Sequence, residues 1–180
     1  ELAQLKTTGA LKALIVTGCL SERYREQLET AIPEIDAVVG IGKNSDIVSI
    51  VETALSGNKG GYYAEKTCLP LDGERVLISP PYTAYLKVSE GCNNKCAYCA
   101  IPAIRGEMRS RTVENVVEEA VSLAEQGVKE LIVVAQDTTR YGEDLYGKPM
   151  LPELLEQLCQ IDGIEWIRIL YAYPDRITPE

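Results

Sequence analysis

The sequence predicts an α/β fold in which two successive series of parallel strands and helices follow one another. Short apolar runs alternate with segments whose apolar residues recur at helical spacing, and this alternation is typical of parallel strands joined by right-handed crossovers. A stretch rich in glycine and proline separates the two series. We therefore expect a first domain over residues 1–57, a linker over 58–81 and a second domain over 82–180.

The first series reads as a βαβα unit. An apolar run at 12–17 predicts a buried strand, and a helix is expected from Glu22 to about Ala31. A second short strand at 36–39 precedes a helix over 45–55, where apolar residues form one stripe. These elements are enough to form one small parallel sheet. They make up the predicted first domain, which ends where the glycine- and proline-rich stretch begins.

The second series is longer and carries more polar loops. Its predicted order is a strand at 85–89, a cysteine-rich loop at 90–111, a helix capped by Thr112 and ending near Gln126, a strand at 129–135, a polar loop at 136–148, a helix at 151–161 and a strand at 165–171. The carboxyl ends of parallel strands meet at one edge of a sheet. We therefore expect the cysteine-rich loop and the polar loop to face the same pocket.

Composition excludes several function classes. The net charge of −9 makes direct nucleic-acid binding unexpected and would suit a basic protein partner, although solubility alone explains it equally well. The chain has no histidine, which removes the usual general base and every Cys–His catalytic pair. No apolar run approaches membrane-spanning length, and the first residues do not read as a signal peptide, so we expect a cytoplasmic protein and no membrane partner.

Three of the six cysteines, Cys92, Cys96 and Cys99, form a CxxxCxxC pattern within eight residues. Three thiolates on one loop can bind three corners of a 4Fe-4S cluster, whereas a complete structural cluster normally takes four cysteines. One iron would then stay open to a ligand, as one position does in catalytic zinc sites. The alternative is a zinc site, whose fourth ligand would be Cys19, Cys68, Cys159 or a carboxylate.

The run GCNNKCAYCAIPAIRGEMRSR resembles the signature of radical S-adenosylmethionine enzymes, and specifically of their methylthiotransferase branch. The resemblance implies that Cys92, Cys96 and Cys99 are the cluster ligands and that S-adenosylmethionine binds the open iron. It also implies that Tyr98 lies near the adenine of S-adenosylmethionine. The family's RGxxxSR tail is matched by Arg105, Gly106, Arg109, Ser110 and Arg111. We expect Arg111 to contact the cofactor; the alternative for these arginines is a solvated basic patch.

The resemblance also covers the first domain. The run TGCLSERY places Cys19 directly after a predicted strand and is similar to the third cysteine motif of the methylthiotransferase N-terminal domain. In that family three such cysteines hold a second 4Fe-4S cluster, so Cys19 is expected to be one of its ligands; the alternative is a buried structural thiol. Cys159 is expected in the core, and Cys68 matches no motif.

The fold that the resemblance implies is the C-terminal part of the small parallel-sheet N-terminal domain, followed by the first strands and helices of a partial TIM-type barrel. The chain thus reads as an internal fragment. Two such clusters are expected in the full-length protein.

The polar loop AQDTTRYGEDLYGK resembles the branch that modifies an aspartate of small-subunit ribosomal protein S twelve rather than the branch that modifies tRNA. Ribosomal protein S twelve is therefore the expected substrate. Gln136 is expected to contact S-adenosylmethionine, although its loop could be an ordinary turn and helix cap. The alternatives are a tRNA adenosine methylthiotransferase and a non-catalytic iron–sulfur or zinc binding module. The sequence does not name the electron donor or the sulfur source.

Overall fold

The computed structural model describes residues 1–73, 75–78 and 80–177, and the parts of the predicted linker and second domain at Glu74, Ser79 and 178–180 lie outside it. The chain divides into two compact units. The first comprises Glu1–Pro70 and Tyr98–Gly106, and the second comprises Leu71–Ala97 and Glu107–Glu180. Within the described residues, no helix has the length and apolar character needed to cross a bilayer. The predicted α/β class is confirmed, while the predicted domain boundaries stay a prediction.

The first unit contains one three-stranded parallel sheet in the order β1-β2-β3. Its strands are β1 (Ile15–Thr17), β2 (Ala37–Val39) and β3 (Gly60–Tyr62), and its helices are α1 (Leu2–Thr7), α2 (Cys19–Tyr24), α3 (Glu26–Ala31), α4 (Ile47–Leu55) and α5 (Ile101–Arg105). Ala37 pairs with Ile15 on one side and with Gly60 on the other. The buried centre of this unit is small and consists of Ala37, Val39 and Ile50.

Two features of the first unit differ from the prediction. Strand β3 lies inside the predicted linker. It was not predicted because Gly60 and Gly61 have no side chain that would indicate a strand. A Cβ on Gly61 would meet the Glu29 carboxylate and the Tyr63 ring, so these side chains would have to shift to admit a larger residue there. The single helix predicted from Glu22 to Ala31 is split at Arg25, which has a φ of 39°.

A buried carboxylate lies beside this split. The carboxylate of Glu22 is buried, accepts the backbone N–H of Ile41 at 3.1 Å and pairs with Arg25 at 2.5 Å. The Arg25 guanidinium also lies over the Tyr63 ring at 5.2 Å. The Glu22 carboxylate is therefore paired despite its burial, and its contacts join α2 to the Arg25 turn and to Ile41.

Asp36 joins helix α1 to the sheet. Its carboxylate is almost fully buried, accepts the backbone N–H of Leu14 at 2.8 Å and forms an ion pair with Lys6 of α1. Burial raises the pKa of this carboxyl, but the hydrogen bonds from Lys6 and Leu14 outweigh burial and hold the pKa below its ordinary value. The carboxylate therefore stays ionised and keeps α1 attached to the first sheet.

The second unit is built on a three-stranded parallel sheet in the order β4-β7-β8, with a short antiparallel pair β5-β6 beside it. The strands are β4 (Thr83–Lys87), β5 (Ser89–Glu90), β6 (Arg109–Ser110), β7 (Glu130–Val134) and β8 (Trp166–Ile169), and the helices are α6 (Val113–Glu125), α7 (Glu143–Tyr146) and α8 (Leu151–Leu158). Glu130 pairs with Thr83 on one side and Trp166 on the other. The helices cover the sheet and close one apolar core.

The elements of this core follow from their sequence patterns. Strand β7 buries Leu131 and Val133 completely, and the apolar stripe of α6 buries Val116 and Ala120 against the sheet. Helix α6 begins as predicted, because the Thr112 side chain accepts the backbone N–H of Asn115 at 3.3 Å.

Two details of the second unit differ from the prediction. The predicted strand at 85–89 starts and ends two residues earlier, because Ser89 leaves it to pair with Ser110 in β5-β6. Cys159 was expected in the core and is instead exposed, so that prediction is wrong. Leu154 and Leu158 are the buried residues of α8, and Cys159 is one position further along the helix, turned about 100° away from Leu158.

Candidate functional site

The cysteine-rich loop begins at the end of strand β5. Cys92 is buried, Cys96 is half-buried and Cys99 is exposed, and all six cysteines of the chain are free thiols. The sulfur of Cys92 accepts the backbone N–H of Asn94 at 3.4 Å. The sulfur of Cys96 lies 3.0 Å from the hydroxyl of Tyr173. In the Cys96 contact either atom could be the donor. Hydrogen bonds to ligand sulfurs are among the features that set the reduction potential of iron–sulfur clusters.

Two asparagines between the cysteines hold the loop in place. The side-chain oxygen of Asn93 accepts the backbone N–H of Met108 at 2.9 Å. The amide of Asn94 donates to Asp137 at 2.7 Å and accepts from Arg140 at 3.0 Å. Asp137 and Arg140 belong to the polar loop after β7, so the two loops meet as the parallel topology predicted. The loop between Cys92 and Cys96 is therefore bonded to Met108 and to the polar loop through its two asparagines.

Asp137 anchors this junction from the polar loop. It is buried, and its other oxygen accepts the hydroxyl of Thr139 at 2.6 Å and the backbone N–H of Thr139 at 3.1 Å. A buried carboxylate with three donors is well satisfied and holds its donors in fixed directions. The side chain of Asn94 is thus attached to a rigid partner rather than to a mobile surface group.

Replacing Asn94 with alanine is expected to weaken retention of iron in the reconstituted chain. The change removes the bonds to Asp137 and Arg140 but leaves all three cysteines, and loss of a partner beyond the ligands typically costs metal sites about 10-fold to 100-fold in affinity. The measurement is iron release to a chelator under anoxic conditions. Lys95→Ala is the matched control, since Lys95 is the exposed neighbour. Equal iron release from wild type and Asn94→Ala would contradict the prediction.

Gln136 lies at the end of strand β7, where the sequence predicted a cofactor contact. Its amide nitrogen is 3.4 Å from the buried carboxylate of Glu90, and its side-chain oxygen is buried without a hydrogen-bond partner in the described part of the chain. The hydroxyl of Ser89, in strand β5, is also buried and has no hydrogen-bond partner in the described part of the chain. Buried polar atoms are normally satisfied, so two such atoms at the carboxyl ends of the strands suit a polar ligand.

Arg111, the third predicted cofactor contact, has its guanidinium engaged within the second unit. The side chain is buried and donates to the carbonyl oxygen of Lys87 at 2.8 Å and to the side chain of Asn115 at 2.7 Å. It also forms an ion pair with Glu119 of helix α6. These contacts attach the start of α6 to the end of β4 and give Arg111 a structural role that the sequence did not predict.

The remaining predicted residues lie in the first unit. Tyr98 is 92% exposed. Cys19 is the first residue of α2, directly after β1, and follows Gly18, whose φ of 105° lets the chain turn sharply from strand into helix. The Arg105 guanidinium of α5 donates to the Cys19 sulfur at 3.3 Å. A cation at this distance suits a thiolate, the form in which cysteine binds iron.

The fit to a 4Fe-4S cluster therefore rests on the chemistry of the loop. The loop supplies three free thiols. The sulfur of Cys92 accepts a backbone hydrogen bond, and the sulfur of Cys96 shares one with the Tyr173 hydroxyl. Among residues 1–73, 75–78 and 80–177, no group of three or more Cys, Asp or Glu side chains is arranged to hold a metal ion. The ligand set Cys92, Cys96 and Cys99 stays a prediction, as do Cys19 and the cofactor contacts.

Sequence reasoning missed two residues of this site. Asn94 lies inside the CxxxCxxC pattern, but that pattern assigns a role only to the cysteines and none to the amide between them. Tyr173 is 77 residues away from Cys96 in sequence, and its only signal is a position just beyond the end of a strand of the parallel sheet.

Comparison with known proteins assigns the family. The model of the Radical SAM superfamily matches residues 86–180, slightly more than half of the chain. The chain therefore belongs to the radical SAM superfamily, and membership implies a 4Fe-4S cluster and S-adenosylmethionine.

Individual relatives narrow the resemblance to methylthiotransferases. Over its whole length the chain is 52% identical to "Ribosomal protein uS12 methylthiotransferase RimO" of Clostridioides difficile (strain 630) and covers 41% of that protein. The proteins of the same name from Desulforamulus reducens and Pelotomaculum thermopropionicum are 52% and 51% identical to the whole chain, which again covers 41% of each. The predicted resemblance to methylthiotransferases is confirmed, and the chain spans about two fifths of these relatives.

Proposed function

We propose that the chain is part of a radical S-adenosylmethionine methylthiotransferase that adds a methylthio group to the β-carbon of an aspartate in small-subunit ribosomal protein S twelve. The observation that carries the proposal is the loop of three free thiols that follows strands β4 and β5, in a chain 52% identical along its length to a uS12 methylthiotransferase. We expect a protein with this substrate to act in the cytoplasm, where ribosomes are assembled.

The proposed roles follow the positions of the residues. Cys92, Cys96 and Cys99 hold the catalytic cluster, which together with S-adenosylmethionine supplies a 5′-deoxyadenosyl radical able to abstract an unactivated hydrogen. No side-chain acid or base of the chain could remove such a hydrogen. The protein's own residues therefore bind, orient and shield the reacting groups.

Three residues are proposed to bind S-adenosylmethionine, namely Tyr98, Gln136 and Arg111. The unpartnered, buried oxygen of Gln136 supports its assignment directly, because the amino and hydroxyl groups of S-adenosylmethionine are donors that such an oxygen accepts. Glu90 holds the other end of the same amide, so the oxygen is aimed in one direction. This arrangement orients a ligand without requiring the loop to reorganise on binding.

Cys19 is proposed as one of three ligands that would hold a second 4Fe-4S cluster, the cluster that would take part in sulfur insertion. Its position at the junction of β1 and α2 and the bond from Arg105 support a ligand role. The chain supplies one of the three thiols, so this part of the proposal concerns a protein of the length of its relatives. The electron donor and the source of sulfur remain outside the proposal.

The function is tested with a protein that carries this chain at the full length of its relatives. After anoxic reconstitution, ribosomal protein S twelve incubated with S-adenosylmethionine and a reductant should gain one methylthio group on a single aspartate, read by tandem mass spectrometry. The matched substrate control replaces that aspartate by alanine. Methylthiolation of tRNA with no change in the ribosomal protein would favour the tRNA-modifying alternative. No modification of either substrate by a protein that binds its cluster would favour a binding module.

A further inference from the structure

The hydroxyl of Tyr173 lies 3.0 Å from the sulfur of Cys96, and both residues belong to the second unit. Either atom could donate between a tyrosine and a free thiol. Once the sulfur is a thiolate bound to iron it has no proton, so the donor must then be the tyrosine hydroxyl. The contact thus becomes a charge-assisted O–H···S hydrogen bond when metal is present.

The segment that carries Tyr173 is held in place on both sides. Before it, Tyr171 has a φ of 59°, unusual for a residue with a side chain, and its carbonyl oxygen accepts the backbone N–H of Thr138 at 3.1 Å. After it, Arg176 donates to Glu143 at 2.9 Å. The chain is therefore fixed to the polar loop and to helix α7 on either side of the tyrosine, so its hydroxyl is presented in a defined direction.

A second chain of contacts leads from the same segment to the cysteine-rich loop. Arg176 binds Glu143, Glu143 pairs with Arg140 at 2.7 Å, and Arg140 donates to Asn94 at 3.0 Å. Asn94 lies two residues before Cys96. The direct contact between Tyr173 and Cys96 is thus reinforced by an ion-pair network that ties the same two segments together.

We propose that Tyr173 is a positioning residue of the radical-SAM cluster, which donates a hydrogen bond to the Cys96 thiolate and raises the reduction potential of the cluster. The inference rests on the proposed function, because it takes Cys96 as a cluster ligand. A donor to a ligand sulfur withdraws negative charge, and the reduced cluster carries more negative charge than the oxidised one. The hydrogen bond therefore stabilises the reduced form, the form required to cleave S-adenosylmethionine.

The test compares wild type, Tyr173→Phe and Tyr171→Phe after anoxic reconstitution of the chain. Tyr171→Phe is the matched control, since it removes a tyrosine hydroxyl from the same segment at a side chain that is 65% exposed. Iron content, circular dichroism and the reduction potential, followed by EPR in a redox titration, are measured for each. We expect Tyr173→Phe to keep its fold and its iron while its potential shifts to a more negative value, and Tyr171→Phe to match wild type.

The outcomes separate the two proposals. A wild-type chain that binds zinc, or whose EPR spectrum ignores S-adenosylmethionine, would contradict the proposed function itself. If the wild type behaves as a radical-SAM protein and Tyr173→Phe has the same potential, the role of Tyr173 is overturned while the function stands. Loss of iron from a folded Tyr173→Phe chain would also overturn the inference, since the hydroxyl would then be needed to retain the cluster rather than to set its reduction potential.

Discussion

A Cys92→Ala chain reconstituted with iron and sulfide is expected to hold no 4Fe-4S cluster. Wild type should bind about four irons and show an EPR signal that changes when S-adenosylmethionine is added. Cys92 is buried, it accepts the Asn94 N–H, and it begins the CxxxCxxC pattern. Two remaining thiols cannot hold three corners of a cluster, so both the iron and the response to S-adenosylmethionine should be lost. The measurements are iron analysis and EPR of the reduced protein.

The chain provides its own controls for this experiment. Cys159→Ala and Cys68→Ala each remove an exposed thiol that lies outside the cysteine-rich loop, and both should keep the wild-type iron content. Cys96→Ala and Cys99→Ala should behave as Cys92→Ala does. Retention of the EPR signal in Cys92→Ala, or recovery of zinc rather than iron from wild type, would contradict the assignment of the loop.

The second large effect concerns stability. Arg111→Ala is expected to lower the free energy of unfolding of the second unit by about 3 kcal/mol. The substitution leaves the Lys87 carbonyl, the Asn115 side chain and the Glu119 carboxylate each short of a donor. Of these, Glu119 keeps a second partner in Arg75 at 3.1 Å, so part of the charge remains paired. Urea unfolding followed by circular dichroism measures the change.

Arg168→Ala is the matched control, because it removes an arginine from an exposed ion pair with Glu130 on the same sheet. Exposed pairs contribute about 0–1 kcal/mol, so this variant should unfold close to wild type. The comparison also separates the two roles of Arg111. If Arg111 binds S-adenosylmethionine, Arg111→Lys should weaken the EPR response to it while restoring part of the stability. Equal stability of Arg111→Ala and Arg168→Ala would contradict the structural role.

Sequence patterns predicted those parts of the fold whose local signals agree with their tertiary environment. Strand β7 and helix α6 were found because their apolar residues recur with the period of the element and face the core. Strand β3 was not predicted because two of its three residues are glycines. The break at Arg25 was not predicted because no glycine or proline marks it in the sequence between Glu22 and Ala31.

The candidate site shows the same division. The cysteines are visible in the sequence because their spacing within one loop carries the chemistry. Asn94 and Tyr173 are not, because their roles arise from Asp137 and Cys96, residues brought close only by the fold. Arg111 was singled out because it matches the RGxxxSR motif. Its contacts with Asn115 and Glu119 could not be predicted without knowing that helix α6 lies beside strand β4.

The register of the second sheet has a consequence for how fast this unit folds. Thr83 pairs with Glu130 and Glu130 pairs with Trp166, so each strand must find a partner dozens of residues away along the chain. In such a parallel sheet the entropy of closing long loops is lost before most native contacts form. We expect helices α6 and α8 to form early from local contacts and this sheet to assemble later. In the proposed enzyme, cluster insertion would then follow sheet assembly, and the cysteine thiols would be open to oxidation until that point.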